Sequence, residues 1–255
     1  MKETKDKTVQ ELRKEIMEKT SVNAFCAIIW SQMSKHLKPT MNNVLSMSWE
    51  MMALIDKFGE LKLEKSTNYF EDLCRQVTGQ QLSVKAASSI WQRVINLFDE
   101  VITPEKVLNS DDDILRGAGL SYAKIRTLKA IGQAISNGII NLDELDKVDD
   151  EEVIAKLTII KGIGRWTAEM FLIFTLARPD VFSYGDAGLR AAMQKIFPRP
   201  PQMDGHYELK SLENVRKQMD DIGRMKSYEQ LINSWRPYRS YACLYLWKSL
   251  DNTPK

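Results

Sequence analysis

Residues 157–168 read LTIIKGIGRWTA, and this stretch decides the fold. The end of an apolar helix, Leu157–Ile160, runs into Gly162-Ile163-Gly164, and a new helix is predicted from about Arg165. Two glycines one residue apart permit a tight turn with its backbone exposed. The helix that follows brings unsatisfied N–H groups and the positive end of its dipole. Such a turn can hold a phosphate by main-chain N–H groups alone. Ile163, between the glycines, is predicted to pack back into the helix pair. Taken alone, the pattern also suits a plain corner between two helices.

Working outward, helical spacing dominates. Within 85–98 (KAASSIWQRVINLF), Ala87, Ile90, Trp91, Val94 and Phe98 fall on one face. Trp91 reads as core. Residues 68–77, 121–136 and 236–249 have the same period, and no stretch alternates as a strand does or carries an Asn-Gly hairpin turn. Pro39, Gly59, Gly79, Pro104, Gly117, Gly138, Gly162, Gly164, Pro179 and the run Pro198–Pro201 punctuate the helices. The fold class is all-α, with roughly ten to twelve short helices. Residues 1–38 read as an added helical segment that packs on the rest through Leu12, Ile16 and the run Phe25–Trp30.

Composition narrows the function. The chain has 255 residues, 44% apolar and 27% charged, which suits a globular protein and excludes a mainly disordered one. Three widely spaced cysteines (Cys26, Cys74, Cys243) form no CxxC pair and no iron–sulfur loop, and two histidines (His36, His206) cannot build a multi-histidine metal site. The charged start MKETKDKTVQELRKE lacks a signal-peptide core, and no apolar run is long enough to span a bilayer. An intracellular setting with no membrane partner is expected: cytoplasm or nucleoid, or a nucleus in a eukaryote. The net charge of +2 decides little, but its distribution is uneven. Residues 141–152 hold seven acids and one lysine, whereas 232–248 hold three bases, no acid and five aromatics.

Four ordered segments carry a family resemblance. Twenty-two residues beyond Gly164 stands Asp186, in PDVFSYGDAGLRAA. Upstream lie FEDLCRQVTGQQLSVKAA (70–87) and GLSYAKIRTLKAIG (119–132), and downstream WRPYRSYACLYLW (235–247). Together they resemble the helix-hairpin-helix DNA glycosylases, in particular the 3-methyladenine DNA glycosylase II branch, from about residue 68 to 249. The resemblance implies two helical lobes with a cleft between them: a core over 68–255 whose lobes interleave, its hairpin at about 157–168, and an N-terminal helical segment, 1–67, packed upon it. The β-rich N-terminal lobe of the bacterial enzyme is not expected.

The resemblance also implies the chemistry. The enzyme would flip an alkylated purine out of double-stranded DNA and hydrolyse its glycosidic bond, with Asp186 as the catalytic carboxylate. An aspartate before a helix is also an ordinary N-cap. In bifunctional relatives the second residue after the hairpin is a lysine that attacks C1′. Here it is Trp166, which cannot form a Schiff base, so a monofunctional glycosylase is expected. Trp166 and Trp247 match pocket aromatics that attract a cationic base, with Met170 and Tyr184 beside them. Gln81 and Leu82 stand at the wedge position, although the glutamines there would also serve as helix caps. Gly162, Gly164, Arg165, Arg236 and Arg239 would contact phosphate. Family hairpins bind a structural Na+ or K+ through backbone carbonyls, here those of Thr158, Ile160 and Ile163. No catalytic cofactor and no iron–sulfur cluster are expected, and the enzyme would act as a monomer.

Two departures matter. Met170 replaces an aromatic, which leaves a glycosylase for oxidised or deaminated purines as a rival reading, beside a non-catalytic DNA-binding protein. Ser183 replaces the usual proline after Val-Phe, which predicts a looser segment before Asp186. The linker 198–211, PRPPQMDGHYELKS, reads as a long surface loop.

Overall fold

The computed structural model describes residues 48–197 and 227–251, with Leu45 and Met225 beside them. The N-terminal segment 1–38 and the linker 198–211 lie outside the described residues. Every regular element among those described is helical. They fall into two compact units, one spanning Lys62–Asp186 and the other formed by the described parts of Met1–Leu61 and Ala187–Lys255.

The first helix described in the second unit is α1, Trp49–Phe58. The Lys62–Asp186 unit then holds α2 (Tyr69–Gly79), α3 (Val84–Asn96), α4 (Pro104–Asn109), α5 (Asp112–Gly117), α6 (Tyr122–Ser136), a 3-10 helix (Leu142–Lys147), α7 (Asp150–Thr158) and α8 (Arg165–Phe174). Helix α2 packs against α3, α6 and α8, α4 and α5 pack on α6, and α7 packs on α8. The apolar face of α2, Leu73, Cys74 and Val77, is fully buried, as are Ile125, Leu128 and Ile131 of α6 and Phe171, Leu172 and Ile173 of α8. Each such side chain contributes about 1.5–3 kcal/mol of burial, which outweighs the weak intrinsic propensity of these short helices. The Cys74 thiol is pushed well above its ordinary range by burial.

Helix α3 differs from its expected form. It stops at Asn96, because Asp99 and Glu100 turn into the left-handed region and break the ladder. Val94, Ile95 and Phe98 are buried, but Trp91, read as core, is half-buried along with Ala87 and Ile90. Burial deepens along the helix, because its first turns rise to the surface behind the exposed turn 80–83.

The second unit adds α9 (Ala187–Ile196), α10 (Glu229–Ser234) and α11 (Arg239–Asp251) to α1. Helix α11 packs against both α1 and α9. Its buried Tyr245 donates to the Gly59 carbonyl at 2.8 Å and accepts from the Leu61 N–H at 3.3 Å, pinning the chain where it leaves α1. Tyr228 donates to the Phe197 carbonyl (2.7 Å), and the Phe197 and Trp235 rings meet at 5.8 Å.

Candidate active site

Helices α7 and α8 are joined by the turn 159–164. The Ile163 N–H donates to the Ile160 carbonyl at 3.0 Å, and Ile163 is buried between the helices. Gly162 has φ +96°, and a Cβ there would stand 1.9 Å from Thr127 Oγ1 of α6, so no side chain fits. The turn is thereby fitted to α6, while the backbone of Gly162 and Gly164 faces solvent.

The start of α8 differs from its neighbours in this unit. Asn68, Ser83, Thr103, Asp111, Ser121 and Asp149 each lend a side-chain oxygen to the N–H groups of the helix they open. Gly164 opens α8 and lends none. The first N–H groups of α8 are left to an outside acceptor, with the helix dipole aligned behind them.

At the second residue of α8, Trp166 donates its indole Nε1–H to Asp186 Oδ2 at 2.7 Å. Asp186 is 8% exposed and Trp166 half-buried, so an acid and a partly open aromatic ring share one spot. The Asp186 N–H donates to the Ser183 carbonyl at 3.2 Å, closing a turn in front of α9. Ser183 was expected to loosen this segment. It is instead fully buried and donates to Glu169 Oε2 of α8 at 2.5 Å, so a hydrogen bond holds where a proline ring would stiffen. Glu169 is 6% exposed, and its other oxygen accepts from Arg165 Nε at 3.0 Å. Burial raises the Glu169 carboxyl above its ordinary range, with Ser183 and Arg165 pulling the other way.

Arg165, expected to meet phosphate, is engaged by acids. Besides Glu169 it donates to both oxygens of Glu151 at 2.6 and 3.1 Å, and these bonds hold the Glu151 carboxyl below its ordinary range. Any phosphate at this guanidinium competes with Glu151.

On the other side of α8, the turn 80–83 joins α2 to α3. Gln81 is exposed and left-handed (φ 56°), and Leu82 is 38% exposed. Behind them Gln80 donates its side-chain amide to Thr167 Oγ1 of α8 at 2.9 Å. Lys124 of α6 donates to the Thr78 and Gln80 carbonyls at 2.8 Å each, capping the end of α2.

The structure therefore brings Trp166, Asp186 and the hairpin glycines to one helix start, with Gln81 and Leu82 tied to the same helix through Gln80. Met170 is buried one turn beyond Trp166, and Tyr184 packs edge-on against Phe182 at 5.1 Å. Trp247, Arg236 and Arg239 belong to the other unit: Trp247 is half-buried on α11, Arg239 half-buried at its start, and Arg236 exposed before it. The Thr158 hydroxyl turns back to the Ile154 carbonyl (2.8 Å), so an ion at the hairpin would meet main-chain oxygens, one of which, that of Ile160, also accepts from Ile163. No group of three or more metal-ligating side chains occurs among the described residues. Sequence reading missed Thr127, Lys124 and Glu169. The signal for Glu169 was a lone charge inside the apolar run AEMFLIF.

A hairpin with bare N–H groups, followed by an acid locked to the helix it starts, defines a class. Residues 74–217 match the model of the HhH-GPD superfamily base excision DNA repair proteins, and the chain belongs to that family. Among its relatives is DNA-3-methyladenine glycosylase 1 of Schizosaccharomyces pombe, 32% identical over 209 residues that cover 80% of this chain and 83% of the relative. The solved structure of S. pombe 3-methyladenine DNA glycosylase Mag1 in complex with abasic DNA is 31% identical, with a TM-score of 0.66, covering 83% of this chain and 96% of that one. The structure of a DNA-3-methyladenine glycosidase from Bacillus halodurans is 33% identical, with a TM-score of 0.64, covering 84% and 90%. The fold is the all-α fold of these glycosylases.

Proposed function

We infer that this protein hydrolyses alkylated purine bases, of the 3-methyladenine kind, from double-stranded DNA and leaves an intact strand with an abasic site. The observation that carries this reading is the 2.7 Å bond from Trp166 to Asp186 directly beyond the hairpin. It sets an electron-rich ring beside a carboxylate where a flipped nucleotide would arrive.

The steps follow from that arrangement. Extruding a base costs a few kcal/mol, and Gln81 with Leu82 fills the gap it leaves. The N–H groups around Gly162 and Gly164 hold a backbone phosphate, with Arg165, Arg236 and Arg239 as further cations. The cationic alkylpurine stacks on Trp166, an attraction of about 0.5–2 kcal/mol, with Met170 and Tyr184 shaping the pocket in the same unit, and Trp247 is a pocket aromatic by family resemblance alone. As the C1′–N bond breaks, its electron pair leaves with the base, which departs neutral, so no acid is needed at the leaving group. The sugar passes through an oxocarbenium-like state that the Asp186 carboxylate stabilises. Water then adds to C1′, and Asp186 takes its proton. Trp166 supplies no amine, so no Schiff base forms and no strand is cut.

The reaction uses no cofactor. A monovalent ion on the carbonyls of Thr158, Ile160 and Ile163 would brace the hairpin without entering the chemistry. On this reading the enzyme acts as a monomer inside the cell; no described helix is long and apolar enough to cross a membrane.

Wild type and Asp186→Asn, incubated with methylated duplex DNA, test the reading. Released bases are separated by chromatography, and strand breaks are scored with and without alkali. Release of 3-methyladenine by wild type alone, with breaks only after alkali, is the expected result. Breaks without alkali would contradict the argument from Trp166, and DNA binding without release would move the assignment to another lesion.

A further inference from the structure

We infer that Glu169 is a positioning residue for base excision, which together with Trp166 clamps the segment Ser183–Asp186 to α8 at two points. The inference rests on the reading of Asp186 as the catalytic carboxylate. Trp166 and Glu169 are three residues apart on one helix and so lie on one face. Asp186 and Ser183 are three residues apart on a turn closed by the Asp186 N–H on the Ser183 carbonyl. The two spacings match: Trp166 holds Asp186 at 2.7 Å, and Glu169 holds Ser183 at 2.5 Å.

One bond would leave the turn free to swing about the indole. The second removes that freedom and fixes the direction in which the carboxylate meets C1′. The cost of the arrangement marks it as specific. Burying a carboxylate among the apolar residues of α8 is unfavourable, and burial raises its pKa as expected. Arg165 and Ser183 offset that cost, one on each oxygen. Glu151 in turn steadies Arg165 from α7, so the clamp reaches back to the far helix of the hairpin.

The test compares single-turnover release of 3-methyladenine with affinity for an abasic-site duplex, in wild type, Asp186→Asn, Ser183→Ala, Ser183→Pro, Glu169→Ala and Glu169→Gln. Displacing a reacting group by about 1 Å costs roughly 10²-fold in rate, so Ser183→Ala and Glu169→Ala are expected to lose roughly 10- to 100-fold. Affinity for the abasic duplex should stay within about threefold. Glu169→Gln keeps an acceptor for Ser183, and Ser183→Pro restores stiffness by another route; both should recover most of the rate. If Ser183→Ala and Glu169→Ala cleave at the wild-type rate while Asp186→Asn is inactive, the clamp is refuted and Asp186 stands. Rate and affinity falling together, with no recovery in Glu169→Gln or Ser183→Pro, would reduce Glu169 to a packing role and also refute it. An Asp186→Asn enzyme at full rate would refute the reading on which the clamp rests.

Discussion

Two loops lean on the first turns of α8, and they are built in opposite ways. The turn 80–83 carries its polar tip outward: Gln81 is left-handed and exposed, and the bonds that steady it come from behind, through Gln80 and Lys124. The segment 181–186 is mostly buried, and its anchors Ser183 and Asp186 are held directly by Glu169 and Trp166. On the proposed function, one loop reaches into a duplex and adapts to what it meets. On the same reading, the other presents a charge to one atom. The same helix serves both, with Thr167 for the first and its neighbours Trp166 and Glu169 for the second. The cost of error therefore differs between them, and the differences are measurable.

The largest effect is expected at the buried loop. Asp186→Asn should lower single-turnover excision by about 10³-fold, because the stabilising charge and the proton acceptor vanish together. Fluorescence anisotropy with an abasic duplex should show affinity unchanged or improved, since a carboxylate near phosphate is gone. A variant that lost binding instead would mean that this loop also serves contact, and the contrast would collapse.

The next effect lies between the loops, at the hairpin. Gly162→Ala drives a Cβ into Thr127 at a positive φ and should cost about 3 kcal/mol or more in urea unfolding. Gly164→Ala meets open space and should cost under about 1 kcal/mol. Equal losses would show that the turn is not fitted to α6.

The exposed loop should respond more mildly. Gln81→Ala removes part of the filling of the vacated stack, which amounts to about 1 kcal/mol, or roughly fivefold slower excision from duplex DNA. Its melting temperature should match wild type, because Gln81 packs on little. A large drop in melting temperature would make this turn structural, like its counterpart.

The smallest effect is a pH dependence. The folded-state pKa of Glu169 is raised above the ordinary 4.5. The folded chain therefore holds this proton more tightly than the unfolded one. The stability so gained is full below about 4.5 and is lost as pH rises through the raised value. Arg165 and Glu151 are the charged groups facing it. Glu169→Gln has no such titration, so its melting temperature should gain on wild type as pH is raised from about 4.5. A constant difference across that range would show that the carboxyl is not perturbed.

The sequence spoke clearly wherever a repeating pattern or a steric demand was at stake. Apolar spacing marked α2, α3, α6 and α11 to within a few residues. Gly162 and Gly164 announced a turn before any partner was known, and Asp186 stood out only through the family resemblance that pairs it with them. What stayed hidden was polar and long-range. Lys124 reaches the Thr78 carbonyl across 46 positions, and Gln80 reaches Thr167 across 87. Such bonds leave no period in the chain. Arg165 reads as a phosphate ligand, and its partner Glu151 stayed hidden because it lies across the hairpin, 14 residues back. Ser183 looked like a weakness because the missing proline was visible and Glu169 was not yet its neighbour. Trp91 misled differently, since spacing gives the direction of a face and not how deep each turn of a helix sits.

The buried thiol of Cys74 acquires a meaning from the work this protein does. Electrophiles that methylate purine nitrogens also methylate sulfur, and they do so through the thiolate. Burial pushes Cys74 far above neutral, so it stays a thiol, shielded in the middle of α2. Cys243 is likewise buried in α11. The two described cysteines are thus poor targets for the agents that create the damage this family repairs.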